Sequence, residues 1–182
     1  VHGCIIYEKV CPLQCPQMIT EPSIFKAYDI RGVVPVALHP EMAVALGRSF
    51  GTQALALGQQ RVAVGRDGRI SGPGLSQALI QGLVQAGIQV LDVGMVTTPQ
   101  LYFAANTLCE SGIQITGSHN PKDYNGFKMV MAGRAIYGED IQALRHMMQA
   151  ETWQLRDGGS VQSVSVLQAY ETRIVQDIQL AR

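Results

Sequence analysis

The chain has 182 residues, of which 47% are apolar, so it can bury a sizeable core and is not expected to be disordered throughout. Fourteen lysine and arginine residues balance fourteen aspartate and glutamate residues. Nothing in this composition resembles the broad basic surface that nucleic-acid binding usually needs. An anionic ligand would therefore have to be held by a local cluster of polar groups.

The first twenty residues contain three of the four cysteines, namely Cys4, Cys11 and Cys15. A structural zinc site needs four ligands, and only His2 could join these three, so a metal site is disfavoured. We interpret residues 1–20 as a leader outside the fold, whose apolar run is too short and too interrupted for a secretory signal. No stretch is long enough to span a membrane. These features predict a cytoplasmic protein with free thiols.

Segments with helical spacing alternate with short apolar segments along the rest of the chain. The first predicted helix lies between Pro40 and Gly58, and its apolar stripe comprises Met42, Leu46, Phe50 and Leu57. Residues 61–65 predict a short buried strand. The second helix is predicted over 71–87 and ends at Gly87, and its stripe comprises Leu75, Leu79, Leu83 and Ala86.

The alternation continues with a strand predicted over 88–94. Thr98, followed by a proline, predicts the N-cap of a third helix. Strands are predicted at 112–116 and 126–131, on either side of a polar loop. A last helix is predicted over 138–151, because acidic residues in its first turn suit the helix dipole.

This order of elements predicts an α/β fold in the form of a three-layer α/β/α sandwich. In such sheets, ligands bind where the strands end and loops begin. The polar loops at 65–69 and 116–128 both follow predicted strands. We therefore expect the two loops to line one cleft.

The segment after the last helix predicts a domain boundary. Residues 156–160 read "RDGGS", which is typical of a linker. Beyond them, a helix is predicted with an apolar stripe of Leu167, Tyr170, Ile174 and Ile178. We assign residues 21–157 to the first domain and residues 158–182 to the truncated start of a second α/β domain.

The polar loop reads "TGSHNPKDYNGFK" from residue 116 to residue 128. Its asparagine, glycine and proline residues are typical of turns, but they leave the serine, histidine and lysine unexplained. A serine hydrolase with Ser118 and His119 is disfavoured, because adjacent side chains in an extended loop point apart and the chain has no "GxSxG" motif.

Phosphoryl transfer through Ser118 is the second functional interpretation of this loop. A phosphoserine needs cations and backbone N–H donors around it, and usually a magnesium ion. The loop and its neighbour supply such groups: Gly117, Asn120, Lys128, Arg66 and Arg69. Their spacing alone does not decide between this chemistry and a plain turn.

Four motifs together resemble the phosphohexomutase family, in particular its bacterial phosphomannomutase/phosphoglucomutase branch. They are the serine loop, "FKAYDIRG" at 25–32, "VGRDGR" at 64–69 and "DVGMVTTPQLYFA" at 92–104. The resemblance extends from about Ser23 to about Ala150 and implies that family's first domain, which has a mixed sheet. It also implies an intramolecular phosphotransferase of the isomerase class, which interconverts hexose 1-phosphate and hexose 6-phosphate through a hexose 1,6-bisphosphate.

The resemblance implies a role for each matching residue. Ser118 would be the phosphoserine, and its phosphate would bind Mg²⁺. His119 and Lys128 would assist proton transfer and hold the transferring phosphoryl group, and Arg31 would be a general base or a phosphate partner. The implied contacts to the phosphorylated hexose come from Tyr28, Arg31, Asn120 and Lys128. Support of the loop is expected from Arg66 and Gly117.

The chain departs from the family pattern by lacking three of its motifs. It contains no "DGDGDR"-type aspartate triplet for magnesium, no "GEMSGH"-like sugar-selecting loop and no C-terminal phosphate-binding loop. We therefore expect a truncated chain without turnover by itself, from a parent that is a monomer or a dimer. The alternatives are a free-standing phosphosugar-binding domain and a phosphotransferase for another acceptor. The sequence leaves open which sugar is preferred.

Overall fold

A computed structural model describes residues 21–178, so the cysteine-containing leader lies outside the described residues. The strands are β1 Ile30–Val33, β2 Arg61–Arg66, β3 Gln89–Met95, β4 Gly112–Ile115, β5 Tyr124–Met131, β6 Arg134–Ala135 and β7 Ser160–Ser163. The α-helices are α1 Pro40–Ala56, α2 Gly72–Gln85, α3 Thr98–Ala104, α4 Glu139–Ala150 and α5 Leu167–Asp177. Every helix and strand predicted along residues 40–151 is present.

The strands form one mixed sheet with the order β1-β5-β4-β2-β3-β7, and β6 pairs with β5 outside this path. Strands β4, β2, β3 and β7 are parallel neighbours. Strand β5 runs antiparallel to both β4 and β1. The predicted α/β class and the mixed sheet are therefore confirmed.

Helices cover both faces of the sheet, as the three-layer prediction requires. On one face, α1, α2 and α4 contribute fully buried side chains to the main core, including Phe50, Leu79 and Leu144. The other face carries a smaller apolar cluster, in which Leu101 of α3 packs with Val93 of β3. Burial of these side chains is the main source of stability for the layers.

Two glycines allow α1 and α2 to approach each other closely. A Cβ atom at Gly47 would lie 2.3 Å from the backbone oxygen of Leu79, and one at Gly82 would lie 2.1 Å from that of Val44. No side chain fits at these distances, because the obstructing atoms are backbone. The two helices therefore pack backbone against backbone over the sheet.

The observed ends of α1, α2 and α3 agree with the ends predicted from the sequence, except at Leu57 and Thr98. Gly58 and Gly87 have positive φ values of 78° and 93° and follow α1 and α2, as predicted. Leu57, assigned to the apolar stripe of α1, is 59% exposed, because it caps the helix and lies beyond its buried face. The N-cap of α3 is Thr97 and not Thr98, since Thr97 forms the capping box with Gln100.

The segment predicted as a linker contains the start of an additional strand. Ser160 begins β7, which pairs in parallel with β3 and extends the sheet beyond residue 157. The domain boundary at 157 stays a prediction. Helix α5 follows and has no buried residue, although Tyr170 contacts Phe103 edge to face at 5.5 Å between ring centroids. Among the described residues, no helix is long and apolar enough to cross a membrane.

Candidate functional site

The serine loop begins at the carboxyl end of β4, where ligand binding was predicted. Ser118 is exposed and adopts a left-handed backbone conformation with a φ of 51°. Its N–H donates to Thr116 Oγ1 at 3.0 Å. The N–H of Asn120 donates to the Gly117 carbonyl at 3.0 Å, and Asn120 Nδ2 donates to the same oxygen at 2.9 Å. These bonds form a compact turn that presents the serine hydroxyl to solvent.

The side chains of Ser118 and His119 lie together, with 3.2 Å between Ser118 Oγ and His119 Nδ1. The prediction that they point apart is wrong, because it assumed an extended backbone and Ser118 is left-handed. The imidazole can therefore exchange a proton with the hydroxyl. Within residues 21–178, no carboxylate hydrogen-bonds to the other ring nitrogen, so the third member of a hydrolase triad is missing there.

Arg69, in the loop after β2, holds the serine loop in place. Its Nη1 donates to the carbonyls of Pro121 at 2.6 Å and Tyr124 at 2.8 Å. Its Nη2 donates to the carbonyls of Asn120 at 2.7 Å and Ser118 at 3.2 Å. One guanidinium thus satisfies four carbonyl groups of the serine loop.

The prediction named Arg66, rather than Arg69, for support of the loop. Among the described residues, no hydrogen bond joins the Arg66 side chain to the loop, whereas Arg69 makes all four bonds. Gly117, the other residue named for support, lies directly against Arg69. A Cβ atom at Gly117 would lie 2.1 Å from Arg69 Cζ, so only glycine leaves room for this guanidinium.

Asp67 links the two polar loops through its carboxylate. Its Oδ1 accepts from the N–H of Arg69 at 3.0 Å, and its Oδ2 accepts from the N–H of Gly117 at 3.2 Å. The same carboxylate lies 3.5 Å from Arg69 Nε. The shared position of the two loops is therefore confirmed. The residue types were visible in the motif at 64–69, but the direction of each side chain was not.

A second cluster joins Arg31 and Lys128 through Asp29, a residue for which the sequence predicted no role. Arg31 Nη2 lies 3.2 Å from Asp29 Oδ1, and Lys128 Nζ lies 3.6 Å from Asp29 Oδ2. Strands β1 and β5 bring the two cations together, because they pair with Arg31 opposite Gly126. The available signal was the position of Asp29, two residues before Arg31, which places both side chains on one face of an extended segment.

The charge of Asp29 acts on its surroundings. This residue is only 7% exposed. Burial raises the pKa of the Tyr102 phenol, and the negative charge of Asp29 raises it further. The carboxylate therefore lies in a partly desolvated region, where charges interact more strongly than in water.

An open cavity of about 470 Å³ is lined by Asn120 and Tyr124 of the serine loop and by Arg31 of the second cluster. The other site residues, Ser118, His119, Asp29 and Lys128, do not line it. Its lining includes Asn120 from the loop, Arg31 from β1 and Lys26 from the preceding segment. Two cations and an amide suit an anionic, hydroxylated ligand, and Glu21 contributes one carboxylate to the same lining. Tyr28 is 76% exposed and does not line this cavity.

The described residues do not provide a complete metal site by themselves. Within residues 21–178, no group of three or more histidine, cysteine, aspartate or glutamate side chains is placed to hold a metal ion. The carboxylate of Asp67, which contacts the serine turn, already accepts from the N–H groups of Gly117 and Arg69. A phosphate on Ser118 would be one oxygen ligand, and Mg²⁺ often combines phosphate with carboxylate ligands.

Comparisons with known proteins agree with the architecture. A family model described as phosphoglucomutase/phosphomannomutase, alpha/beta/alpha domain I, matches residues 22–155. The phosphomannomutase/phosphoglucomutase of Pseudomonas aeruginosa is 55% identical over 162 residues, which cover 88% of this chain and 35% of that protein. The phosphoglucomutase of Neisseria gonorrhoeae is 48% identical over 161 residues, which cover 87% of this chain and 35% of that protein.

A solved structure of a protein from the same family also matches this chain. The crystal structure of a phosphoglucomutase/phosphomannomutase family protein from Burkholderia thailandensis matches with a TM-score of 0.83 at 48% identity. The match covers 88% of this chain and 37% of that one. The chain thus spans about a third of the length of the relatives that it matches.

Proposed function

The chain belongs to the phosphoglucomutase/phosphomannomutase family, and from this premise we propose that it is the phosphoryl-carrying part of a phosphohexomutase. The whole enzyme interconverts hexose 1-phosphate and hexose 6-phosphate, with glucose and mannose as the sugars. The observation that carries the proposal is the exposed Ser118 hydroxyl, presented on a loop that Arg69 fixes beside His119.

The proposed transfer from the serine makes use of these contacts. The bond between phosphorus and Ser118 Oγ breaks while a bond forms between phosphorus and a sugar hydroxyl oxygen. The sugar hydroxyl loses its proton to solvent, because Arg31 stays protonated in its ion pair with Asp29 and is therefore our candidate for a partner of the phosphate. His119 is placed to protonate the departing serine oxygen, since its Nδ1 lies 3.2 Å from it. The product is a hexose 1,6-bisphosphate, and transfer of its other phosphoryl group back to Ser118 completes the cycle.

Positive charge near the loop supports both transfers. Lys128 and Arg31 lie on either side of Asp29 and would stabilise the charge that spreads over the phosphoryl oxygens. Asn120 and Arg31 line the cavity in which the sugar phosphate would bind. We assign contacts to the sugar phosphate to Arg31, Asn120 and Lys128, and a further contact to Tyr28, which is exposed and does not line this cavity.

Magnesium is the cofactor of this proposal, with the Ser118 phosphate as the ligand from this chain. A bound magnesium ion would neutralise negative charge on the phosphoryl group. The other protein ligands are expected in sequence outside these 182 residues, together with the groups that select the sugar. We further propose a cytoplasmic enzyme that acts as a monomer or a dimer.

Intact-mass spectrometry of the full-length protein tests the proposal. The wild-type protein should carry one phosphate, and peptide mapping should place it on Ser118. Ser118→Ala should lose both the phosphate and the conversion of glucose 1-phosphate in the presence of magnesium and a bisphosphate activator. Ser163→Ala, which removes an exposed hydroxyl from strand β7, is the matched control and should retain both. Phosphate on another residue would overturn the assignment, and sugar-phosphate binding without turnover would favour the binding-domain alternative.

A further inference from the structure

Asp29 occupies a position that the proposed chemistry does not yet explain. Its carboxylate is buried, at 7% exposure, yet it lies between two of the cations assigned to phosphoryl transfer. A negative charge at this position opposes the binding of an anionic substrate, because it offsets part of the attraction from Arg31 and Lys128. A neutral residue would leave the phosphate attraction stronger.

The contacts of Asp29 are ion pairs without hydrogen-bond geometry. Its buried Oδ1 atom lies 3.2 Å from Arg31 Nη2, and the Nε atom of Arg31 is buried without a hydrogen-bond partner among the described residues. Buried polar atoms are normally paired, and exceptions often lie at functional sites. The two ion pairs, at 3.2 Å and 3.6 Å, constrain where the charged ends of Arg31 and Lys128 can lie.

Lysine and arginine side chains otherwise have many rotamers. Lys128 extends from β5 with its side chain 31% exposed, and Arg31 extends from β1 with its side chain 37% exposed. Without a partner, an ammonium at the end of four methylene groups would move among several positions. A cation stabilises a transferring phosphoryl group most when it is already in position, because moving the cation into place during the transfer costs free energy.

We infer that Asp29 is a positioning residue, whose carboxylate holds Lys128 and Arg31 in place at the edge of the phosphoryl-carrying loop. This inference rests on the proposed function. Asp29 does not touch the reacting atoms and acts through the two cations. Its negative charge weakens the binding of the sugar phosphate. The same charge holds the two cations in position for the transfer step.

Kinetics of the Asp29→Asn variant of the full-length enzyme test the inference. The amide keeps the shape but removes the charge, so kcat should fall by about 10- to 100-fold. The KM for glucose 1-phosphate should stay equal or decrease, because both cations remain and the opposing charge is gone. Asp29→Glu, which restores the charge, should recover part of kcat. Asp177→Asn is the matched control, because it breaks a carboxylate–arginine pair on the exposed helix α5 and should leave both constants unchanged.

A second measurement does not depend on activity. The 182-residue chain contains four lysines, so ¹³C-lysine labelling gives a short set of side-chain signals. The order parameter of the Lys128 side chain should exceed those of the exposed Lys26 and Lys122. In Asp29→Asn it should fall to their level, while in Asp177→Asn it should not change. Circular dichroism of each variant confirms that the chain remains folded.

The outcomes separate the inference from the proposed function. If the wild-type enzyme turns over and the kcat of Asp29→Asn lies within about threefold of the wild-type kcat, the positioning role is overturned and the mutase assignment remains intact. A Lys128 side chain that is as mobile as Lys26 in the wild type, or still ordered in Asp29→Asn, would also overturn the positioning role. A wild-type enzyme without phosphoserine and without turnover would overturn the proposed function, and the lysine signals would then decide the role of Asp29 alone.

Discussion

Replacing Gly117 with alanine should open the serine loop, because the added methyl group and the Arg69 guanidinium would need the same space. A Cβ atom at this position would lie 2.1 Å from both Cζ and Nε of Arg69. Gly117 does not have a positive φ, so alanine can adopt its backbone conformation without strain. Any opening of the loop in Gly117→Ala must therefore result from the displacement of the Arg69 side chain.

The magnitude follows from the contacts that Arg69 would lose. Its four hydrogen bonds to loop carbonyls range from 2.6 Å to 3.2 Å. Each bond from a charged donor contributes at most about 1.5–3 kcal/mol, but the freed carbonyls and guanidinium are partly exposed and regain water. We therefore expect a net loss of about 2–3 kcal/mol for the closed loop, which corresponds to roughly 30- to 150-fold in the opening equilibrium.

Amide hydrogen exchange on the 182-residue chain measures this opening directly. The amides of Asn120 and Tyr124 donate to carbonyls within the loop, so their exchange should accelerate by the same factor in Gly117→Ala. The second variant is Arg69→Met, which removes the guanidinium and should have a similar effect. In the double variant, the alanine should add little, because the side chain that it displaces is already absent.

Two results would refute this reasoning. One is an unchanged exchange rate at Asn120 and Tyr124 in Gly117→Ala. The other is a fully additive double variant, which would show that the alanine acts independently of Arg69. Gly74→Ala is the matched control, because a Cβ atom at Gly74 in helix α2 meets nothing within 4 Å and should leave the loop unaffected.

The remaining predictions concern Lys128 and Cys109. Lys128→Met should lower the turnover of the full-length enzyme by at least about 100-fold, with a loss of only about 1 kcal/mol in folding stability, since the lysine is partly exposed and Asp29 retains Arg31. A large drop in the melting temperature would instead indicate a structural lysine. Burial raises the pKa of the Cys109 thiol, so less of it is thiolate at pH 8, and iodoacetamide should alkylate it more slowly in the native chain than in urea. Equal rates by peptide mapping would contradict the burial of this thiol.

Local sequence determined most of the architecture and the centre of the site. The apolar stripes and the glycine stops at Gly58 and Gly87 predicted α1 and α2 correctly, because helical periodicity and left-handed caps are properties of short segments. The position of Ser118 at the end of a parallel strand was also predictable, since it needs only the order of β4 and the polar loop. The edge strand β7 was missed, because the residues of "SVQS" are all exposed and show no apolar alternation.

Tertiary structure alone decided which charged groups lie together. Arg66 and Arg69 both occur in the motif at 64–69, and the path of the chain after β2 directs Arg69 into the serine loop. Asp29 and Lys128 are distant in sequence and meet only because β1 and β5 pair in one register. The physical reason is that contacts within a turn or a helix depend on local backbone preference, whereas the partner of a long charged side chain depends on strands brought together by burial of the core.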